Sequence, residues 1–77
     1  MSLKIVLFGS LVDIIGRSEI AIDDCKDTQE LKERMIIDFP KLKSCEFLIS
    51  VDKKIIRDNL VFSGGNEIAF LPPFSGG

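Results

Sequence analysis

The chain opens with an almost wholly apolar run from Leu3 to Phe8, which ends at Gly9. A continuous run of this length, stopped by a glycine, predicts a strand buried in the middle of a sheet. Side chains alternate along a strand, so Ile5 faces one side of the sheet while Val6 and Phe8 face the other. At least one of these faces therefore needs a cover.

A helical pattern lies in the middle of the chain. Leu31, Met35 and Ile36 recur at helical spacing, and acidic residues occupy the opening turns, where they favour a helix N-terminus. Thr28 is the predicted N-cap. The residue before a proline avoids helical geometry, so the helix should end before Pro40. We expect this helix to cover one face of the sheet.

Shorter strand signals lie on both sides of the predicted helix. Upstream, a loop from Asp13 to Gly16 leads into an alternating stretch, Glu19 to Ile22, which predicts a second strand. Downstream, Phe47 to Val51 and Ile55 to Ile56 flank the polar stretch 52–54. This pattern predicts a hairpin, although the turn lacks the Asn-Gly or Asp-Gly pair that marks the strongest hairpins.

The last strand is predicted from Glu67 to Leu71, after a turn at 64–66 and before Pro72. This order of elements favours an α+β fold with one principal helix on a mixed sheet, and the ubiquitin-like β-grasp architecture matches it. There the first and last strands lie side by side and parallel at the centre, which explains why both are so apolar. We expect a β-grasp domain over residues 1–71 and a projecting tail over 72–77.

Composition supports a folded domain and argues against several kinds of function. The 77 residues are 45% hydrophobic and 29% charged, which is typical of one small globular domain. A formal net charge of −2 and the lack of a long basic block argue against nucleic acid as a partner. Without a leader or an apolar run of ~18 residues, the protein is expected in the cytoplasm and not in a membrane.

The sequence offers little chemistry of its own outside its C-terminal end. Cys25 and Cys45 are the only cysteines, they form no Cys-x-x-Cys pair, and histidine is absent, so no metal site is expected. A glycine-rich phosphate loop and a recognisable nucleophile–base pair are also missing. We therefore expect this chain to bind no cofactor and both thiols to stay reduced.

The tail from Pro72 to Gly77 is the segment to which we assign the chemistry. Two consecutive prolines hold φ near the polyproline value, so the tail should leave the domain stiffly. At ~3.3 Å per residue it reaches about 20 Å, far enough to enter another protein's active site. Gly76 and Gly77 have no side chains, so they can pass a narrow channel and leave the terminal carbonyl carbon open to attack.

The terminal carboxylate of Gly77 needs help to react. With a pKa of ~3.5 it is ionised at neutral pH and is a poor electrophile. It must first be activated as a mixed anhydride, which requires ATP. Because the chain has no phosphate loop, we expect an ATP-dependent partner enzyme to carry out this activation.

The segment Leu71 to Gly77 resembles the C-terminal signature of the molybdopterin synthase small subunit, and the likeness covers nearly the whole chain. The resemblance implies a ubiquitin-like sulfur carrier. An activating enzyme adenylates Gly77, and a sulfur donor protein supplies the sulfur that makes a thiocarboxylate. The tail then enters the large synthase subunit, within a heterotetramer, and passes its sulfur to a cyclic pyranopterin phosphate to build the molybdopterin dithiolene.

The residues predicted to act form two groups. Gly77, as the thiocarboxylate, and Gly76 make up the reacting end. The residues predicted to bind partners are Phe8, Ile55, Leu71, Pro72, Pro73, Phe74 and Ser75. The first three should form an exposed apolar patch on the outer face of the sheet, and monomeric proteins seldom leave such patches unused.

Other uses of a Gly-Gly tail remain open at this point. The sulfur carrier of thiamine biosynthesis shares the fold and the Gly-Gly end but usually lacks Pro-Pro before it. Carriers for tRNA thiolation, and ubiquitin-like modifiers that form an isopeptide bond through Gly77, share the same logic. A small interaction module with an inert end would leave the stiff Pro-Pro exit unexplained.

Overall fold

The computed structural model describes residues 2–73, which form an α+β fold. Its elements, in chain order, are β1 (Ser2–Leu7), α1 (Ser10–Ile15), β2 (Glu19–Asp23), α2 (Thr28–Asp38), a 3₁₀ turn (Pro40–Ser44), β3 (Leu48–Val51), β4 (Lys54–Ile56) and β5 (Ile68–Leu71). The longest helix is α2, which ends before Pro40 as predicted. Within residues 2–73, no helix is long and apolar enough to cross a bilayer.

The strands form one mixed sheet in the order β2-β1-β5-β3-β4. β1 and β5 pair in parallel, with Ile5 opposite Ile68, and the other neighbours pair antiparallel. The prediction that the first and last strands lie side by side is therefore confirmed. Because β5 lies at the centre of the sheet, the chain leaves the domain from its middle and not from an edge.

One face of the sheet, which we call the helix face, carries the core. Ile5 is fully buried there with Leu31 and Met35 of α2. Phe70 of β5 is also fully buried, and its ring stacks on that of Phe47 with 5.0 Å between the ring centroids. Among residues 2–73, the buried apolar residues are Leu3, Ile5, Leu7, Leu11, Ile15, Ile20, Ile22, Leu31, Met35, Leu42, Ile49, Val51, Ile68 and Phe70. Alternation thus places the residues of β1 as predicted.

The segment predicted as a loop from Asp13 to Gly16 belongs largely to a short helix, α1, so that prediction is wrong. Leu11 and Ile15 lie one turn apart and are both buried, which gives the segment an apolar side to pack. The helix ends at Gly16, which adopts the left-handed conformation and donates its N–H to the carbonyl of Val12 at 2.7 Å. With only six residues, α1 is too short to display a helical period in the sequence.

The N-cap of α2 is Asp27 and not Thr28. The Asp27 carboxylate accepts the N–H of Glu30 at 2.8 Å, and this hydrogen bond holds the pKa of Asp27 below its usual value. Thr28 is buried and bonds to the segment before β5: its hydroxyl donates to Asn59 Oδ1 and accepts the N–H of Leu60, both at 3.0 Å. Either residue type caps helices well, and this tertiary contact decides between them.

Candidate functional site: the outer face and the tail exit

The second face of the sheet, which we call the outer face, presents apolar side chains to solvent. Register places Val6, Ala69, Ser50 and Ile55 in one row across four strands. Phe8 is 48% exposed and Ile55 is 43% exposed, although both are large and apolar. An unpaired apolar surface on a small domain is typical of a docking site.

Phe8 and Leu71 line a shallow cavity of about 260 Å³ on this outer face. Its full lining is Val6, Phe8, Ser50, Lys53, Glu67, Ile68, Ala69 and Leu71. Ile55 does not line the cavity but lies beside it, opposite Ser50 in the β3–β4 ladder. The structure therefore brings the three residues of the predicted patch onto one face. We use "outer patch" for Val6, Phe8, Ile55, Ala69 and Leu71.

Lys53 and Glu67 add charge to the rim of the cavity, and a hydrogen-bonded loop holds them there. Asp52 accepts the N–H of Glu67 at 2.9 Å and the side-chain amide of Asn66 at 2.8 Å. Its own N–H donates to the carbonyl of Glu67 at 2.8 Å. The bond from Glu67, followed by that from Asn66, lowers the pKa of Asp52.

The turn between β3 and β4 explains why its sequence signal is weak. Asp52 and Lys53 both have positive φ, 51° and 70°, as the central residues of a type I′ turn require. Glycine would fill these positions more easily, and Asp52 is held in place by the bonds that its carboxylate accepts from Asn66 and Glu67. The hairpin prediction is confirmed, with a two-residue turn.

The tail leaves the sheet beside the outer patch. β5 ends at Leu71, Pro72 is half-buried and Pro73 is exposed. Directly after β1, the Phe8 N–H donates to the Phe70 carbonyl of β5 at 3.1 Å. Just beyond it, Pro72 packs against Gly9, where an added Cβ would lie 3.0 Å from the proline Cγ. The tail and the outer patch thus start from the same point of the sheet.

Four of the predicted site residues, Phe74, Ser75, Gly76 and Gly77, lie outside the described residues. Their assigned roles stay predictions. Of the predicted tail positions, only Pro72 and Pro73 fall within the described chain.

The described residues provide little for catalysis by the domain itself. Burial, followed by the charge of Glu30, raises the pKa of the Cys25 thiol, so this thiol is held in its less nucleophilic form. Among residues 2–73, no group of three or more histidine, cysteine or acidic side chains could hold a metal ion. A larger groove of about 640 Å³ lies along α2 and β4, but its rim mixes Lys32 and Arg57 with Glu33 and Asp58.

Sequence reasoning missed three members of this site. Val6 and Ala69 complete the outer patch, and their small or branched side chains lie opposite each other in the β1–β5 ladder. Strand alternation predicts that Val6 lies on the outer face, but only the register between β1 and β5 shows that Ala69 lies beside it. The sequence predicts Gly9 only as the end of a strand, although in the fold it also contacts Pro72.

The architecture is a ubiquitin-like β-grasp, as predicted. SAMP1, a small archaeal modifier protein of Haloferax volcanii, matches it with a TM-score of 0.81 at 20% identity, over 100% of both chains. At that identity the likeness concerns the fold alone.

The chain belongs to the ThiS family, whose model matches residues 5–77. It is 30% identical to the molybdopterin synthase sulfur carrier subunit of Caenorhabditis elegans, over 100% of this chain and 99% of that relative. It is also 25% identical to a chain in the protein–protein complex of subunits 1 and 2 of the molybdopterin-converting factor from Helicobacter pylori, with a TM-score of 0.73 over 100% of both chains. The resemblance inferred from the C-terminal signature is therefore confirmed.

Proposed function

We propose that this chain is the sulfur-carrier subunit of a molybdopterin synthase and that its working group is the carboxylate of Gly77. The observation that supports this most directly is the exposed outer patch at the point where the tail leaves the sheet, in a member of the ThiS family. Because the patch and the tail exit are adjacent, a partner can bind the outer patch and accept the tail in its active site at the same time. The relatives that carry the name of molybdopterin synthase sulfur carrier subunit support the same assignment.

The proposed chemistry proceeds in three steps. The Gly77 carboxylate attacks the α-phosphorus of ATP, which releases pyrophosphate and forms an acyl-adenylate. A sulfur donor protein then delivers sulfur at the oxidation level of sulfide, which attacks the acyl carbon of Gly77, displaces AMP and leaves a thiocarboxylate. Finally the terminal sulfur bonds to a cyclic pyranopterin phosphate in the large subunit, and water hydrolyses the resulting thioester, which returns Gly77 to a carboxylate and leaves the sulfur on the acceptor. Two such transfers complete the dithiolene.

The domain contributes binding and delivery to these steps, and its partners contribute catalysis. It offers no phosphate loop, and the Cys25 thiol has a raised pKa. We propose that the activating enzyme and the large subunit dock on the outer patch in turn, because the tail can enter only the partner that covers its exit. The complex of subunits 1 and 2 from Helicobacter pylori supports the large subunit as one such partner.

The test is to alter the end of the chain and leave the domain intact. Deleting Gly77, or adding residues after it, should abolish dithiolene formation with purified large subunit while the melting temperature stays unchanged, since the core lies upstream of Pro72. In the unaltered protein, isolation from cells should reveal a species heavier by ~16 Da, because sulfur has replaced one oxygen of the activated carboxyl group. Full activity of the truncated chain would refute the proposal, and Gly77 found only in isopeptide bonds would favour a protein modifier.

A second arm of the test concerns the width of the path that the tail follows. Gly76→Ala should change stability by well under ~1 kcal/mol, as for most surface sites. Transfer should fall by about 100-fold, because a methyl group in a narrow channel displaces the reacting carbon by ~1 Å. Ser75→Gly is the matched control, since it adds flexibility without bulk and should be tolerated. Equal single-turnover rates for the Gly76→Ala and wild-type proteins would show that no narrow channel holds the tail.

A further inference from the structure

We propose that Gly9 is a positioning residue. Because Gly9 has no side chain, Pro72 packs directly on its backbone, and this contact sets the direction in which the tail leaves the sheet. The purpose of that direction, delivery of Gly77 to a partner's site, rests on the function proposed above. The contact itself does not, because it is a feature of the folded domain. Nothing in the pattern of the opening strand distinguishes Gly9 from a glycine that only ends it.

Gly9 is restricted twice, once by its backbone and once by its neighbour. Its φ of 58° and ψ of −137° lie in a region that side chains with a Cβ strongly disfavour. A Cβ at this position would also lie 3.0 Å from Cγ and 3.5 Å from Cδ of Pro72. Gly16 and Gly65 share the positive φ, but a Cβ at either would meet nothing within 4 Å. Among these three glycines, only Gly9 combines a positive φ with a close contact to another residue, Pro72.

The Gly9 side of the contact is anchored to the core. The Gly9 carbonyl accepts the N–H of Val12 at 3.1 Å, and the Phe8 carbonyl accepts the N–H of Leu11 at 3.2 Å. Leu11 in turn is 1% exposed and belongs to the core. The hydrogen bonds to α1 therefore fix the position of Gly9 between β1 and α1. If a Cβ is added at position 9, Pro72, the first residue after β5, is the residue that has to move.

Movement at Pro72 should be transmitted along the tail. Pro72 and Pro73 have restricted φ angles, so this part of the chain behaves as a stiff lever. A shift of ~0.5 Å at Pro72, over the ~3.8 Å that separates it from Leu71, would turn the direction in which the chain leaves the sheet by about 8°. Because ~1 Å of misplacement can cost about 100-fold in rate, even a partly relaxed shift should be measurable.

A double-mutant cycle tests the contact. Pro72→Ala removes Cγ and Cδ, the two ring atoms that approach a Cβ at position 9 most closely. The full-length wild-type, Gly9→Ala, Pro72→Ala and double-variant chains would be prepared as thiocarboxylates, so that loading does not enter the measurement. Transfer is then followed in single turnover at saturating large subunit and well below each melting temperature. Gly16→Ala is the control variant: it also places a Cβ on a residue with positive φ, but this Cβ contacts nothing within 4 Å, so it adds backbone strain without the steric contact.

We expect Gly9→Ala to lower the transfer rate by about tenfold in the wild-type background and to have no further effect beside Pro72→Ala. Affinity for the large subunit, measured by calorimetry, should change by less than about threefold, since the outer patch is untouched. Gly9→Ala should lower the melting temperature in both backgrounds, because the backbone strain does not depend on Pro72. Gly16→Ala should transfer at the wild-type rate.

Two results would overturn the proposal: an unchanged transfer rate in Gly9→Ala, or an equal loss from Gly9→Ala with and without the Pro72 ring. The second would mean that strain alone is responsible. A nuclear Overhauser effect between the Gly9 α-protons and the Pro72 γ-protons checks the contact without any partner. If that signal is present but wild-type thiocarboxylate delivers no sulfur, the proposed function fails while the contact stands.

Discussion

The two faces of the sheet are built from the same strands but differ in what surrounds them. On the helix face, Ile5 and Phe70 are fully buried beneath α2 and the 3₁₀ turn. On the outer face, Phe8 and Leu71 line an open cavity, although they directly follow the buried residues Leu7 and Phe70 in the sequence. Alternation along β1 and β5 therefore places core residues next to exposed apolar residues in the sequence. Substitutions one position apart should have effects on different properties, and the following predictions test that separation.

The largest effect is expected on the helix face. Phe70→Ala removes a fully buried ring at the centre of the sheet, and with it the stacking contact between Phe70 and Phe47. Loss of a buried phenylalanine costs about 3–5 kcal/mol, which approaches the whole stability of a small domain. Chemical unfolding followed by circular dichroism should show a variant that is largely unfolded without denaturant. A loss of less than about 1 kcal/mol would mean that the two faces are not distinct in the way described.

A smaller effect, on binding and not on stability, is expected on the outer face. Phe8→Ala and Leu71→Ala should each weaken the affinity for the activating enzyme and for the large subunit by about 1–3 kcal/mol, as central interface residues do. Their stability should fall by less than about 1 kcal/mol. Calorimetry with each partner measures the affinity. Ile37→Ala is the matched control, because Ile37 is 74% exposed but lies on α2, away from the outer patch. Unchanged affinities for both variants would exclude the outer patch as the interface.

The smallest effect is expected at the rim, where Asp52 holds the loop that carries Glu67. Hydrogen bonds from Glu67 and then Asn66 lower the pKa of Asp52, so its carboxylate stabilises the fold above the pKa of unfolded aspartate, about 3.9. This contribution is lost as pH falls through the lower pKa of the folded state. Asp52→Asn should therefore be less stable than wild type near neutral pH.

The difference between the two proteins should shrink on acidification, which chemical unfolding at about pH 6 and about pH 2.5 would measure. Asp27 also has a lowered pKa but is common to both proteins, so its contribution cancels in the comparison. A stability difference that stays constant across this range would show that Asp52 acts through its shape and not through its charge.

The elements that the sequence predicts well are those in which a long pattern matches a single environment. The buried faces of β1 and β5 are apolar along their whole length, and α2 spans enough turns for Leu31 and Met35 to reveal its buried side. α1 was missed because one pair, Leu11 and Ile15, is its only periodic signal.

The remaining differences depend on contacts between distant parts of the chain. Asp27 and Thr28 have similar capping propensities, and the partnership of Thr28 with Asn59 and Leu60 settles which one caps α2. The outer patch could be inferred residue by residue from alternation. By contrast, the inclusion of Ala69 in the patch and the contact between Gly9 and Pro72 could not be predicted without knowing the register between the first and last strands.

The pairing of the first and last strands also determines when the outer patch forms during synthesis. Val6 and Phe8 leave the ribosome well before Ala69 and Leu71, and the parallel ladder that unites them cannot form until the later pair has emerged. Contacts between such distant segments form late in folding, after local helices and hairpins. A nascent or truncated chain therefore displays only half of the patch. A partner that recognises the complete patch would select finished molecules, so activation of the tail would be coupled to quality control of the domain.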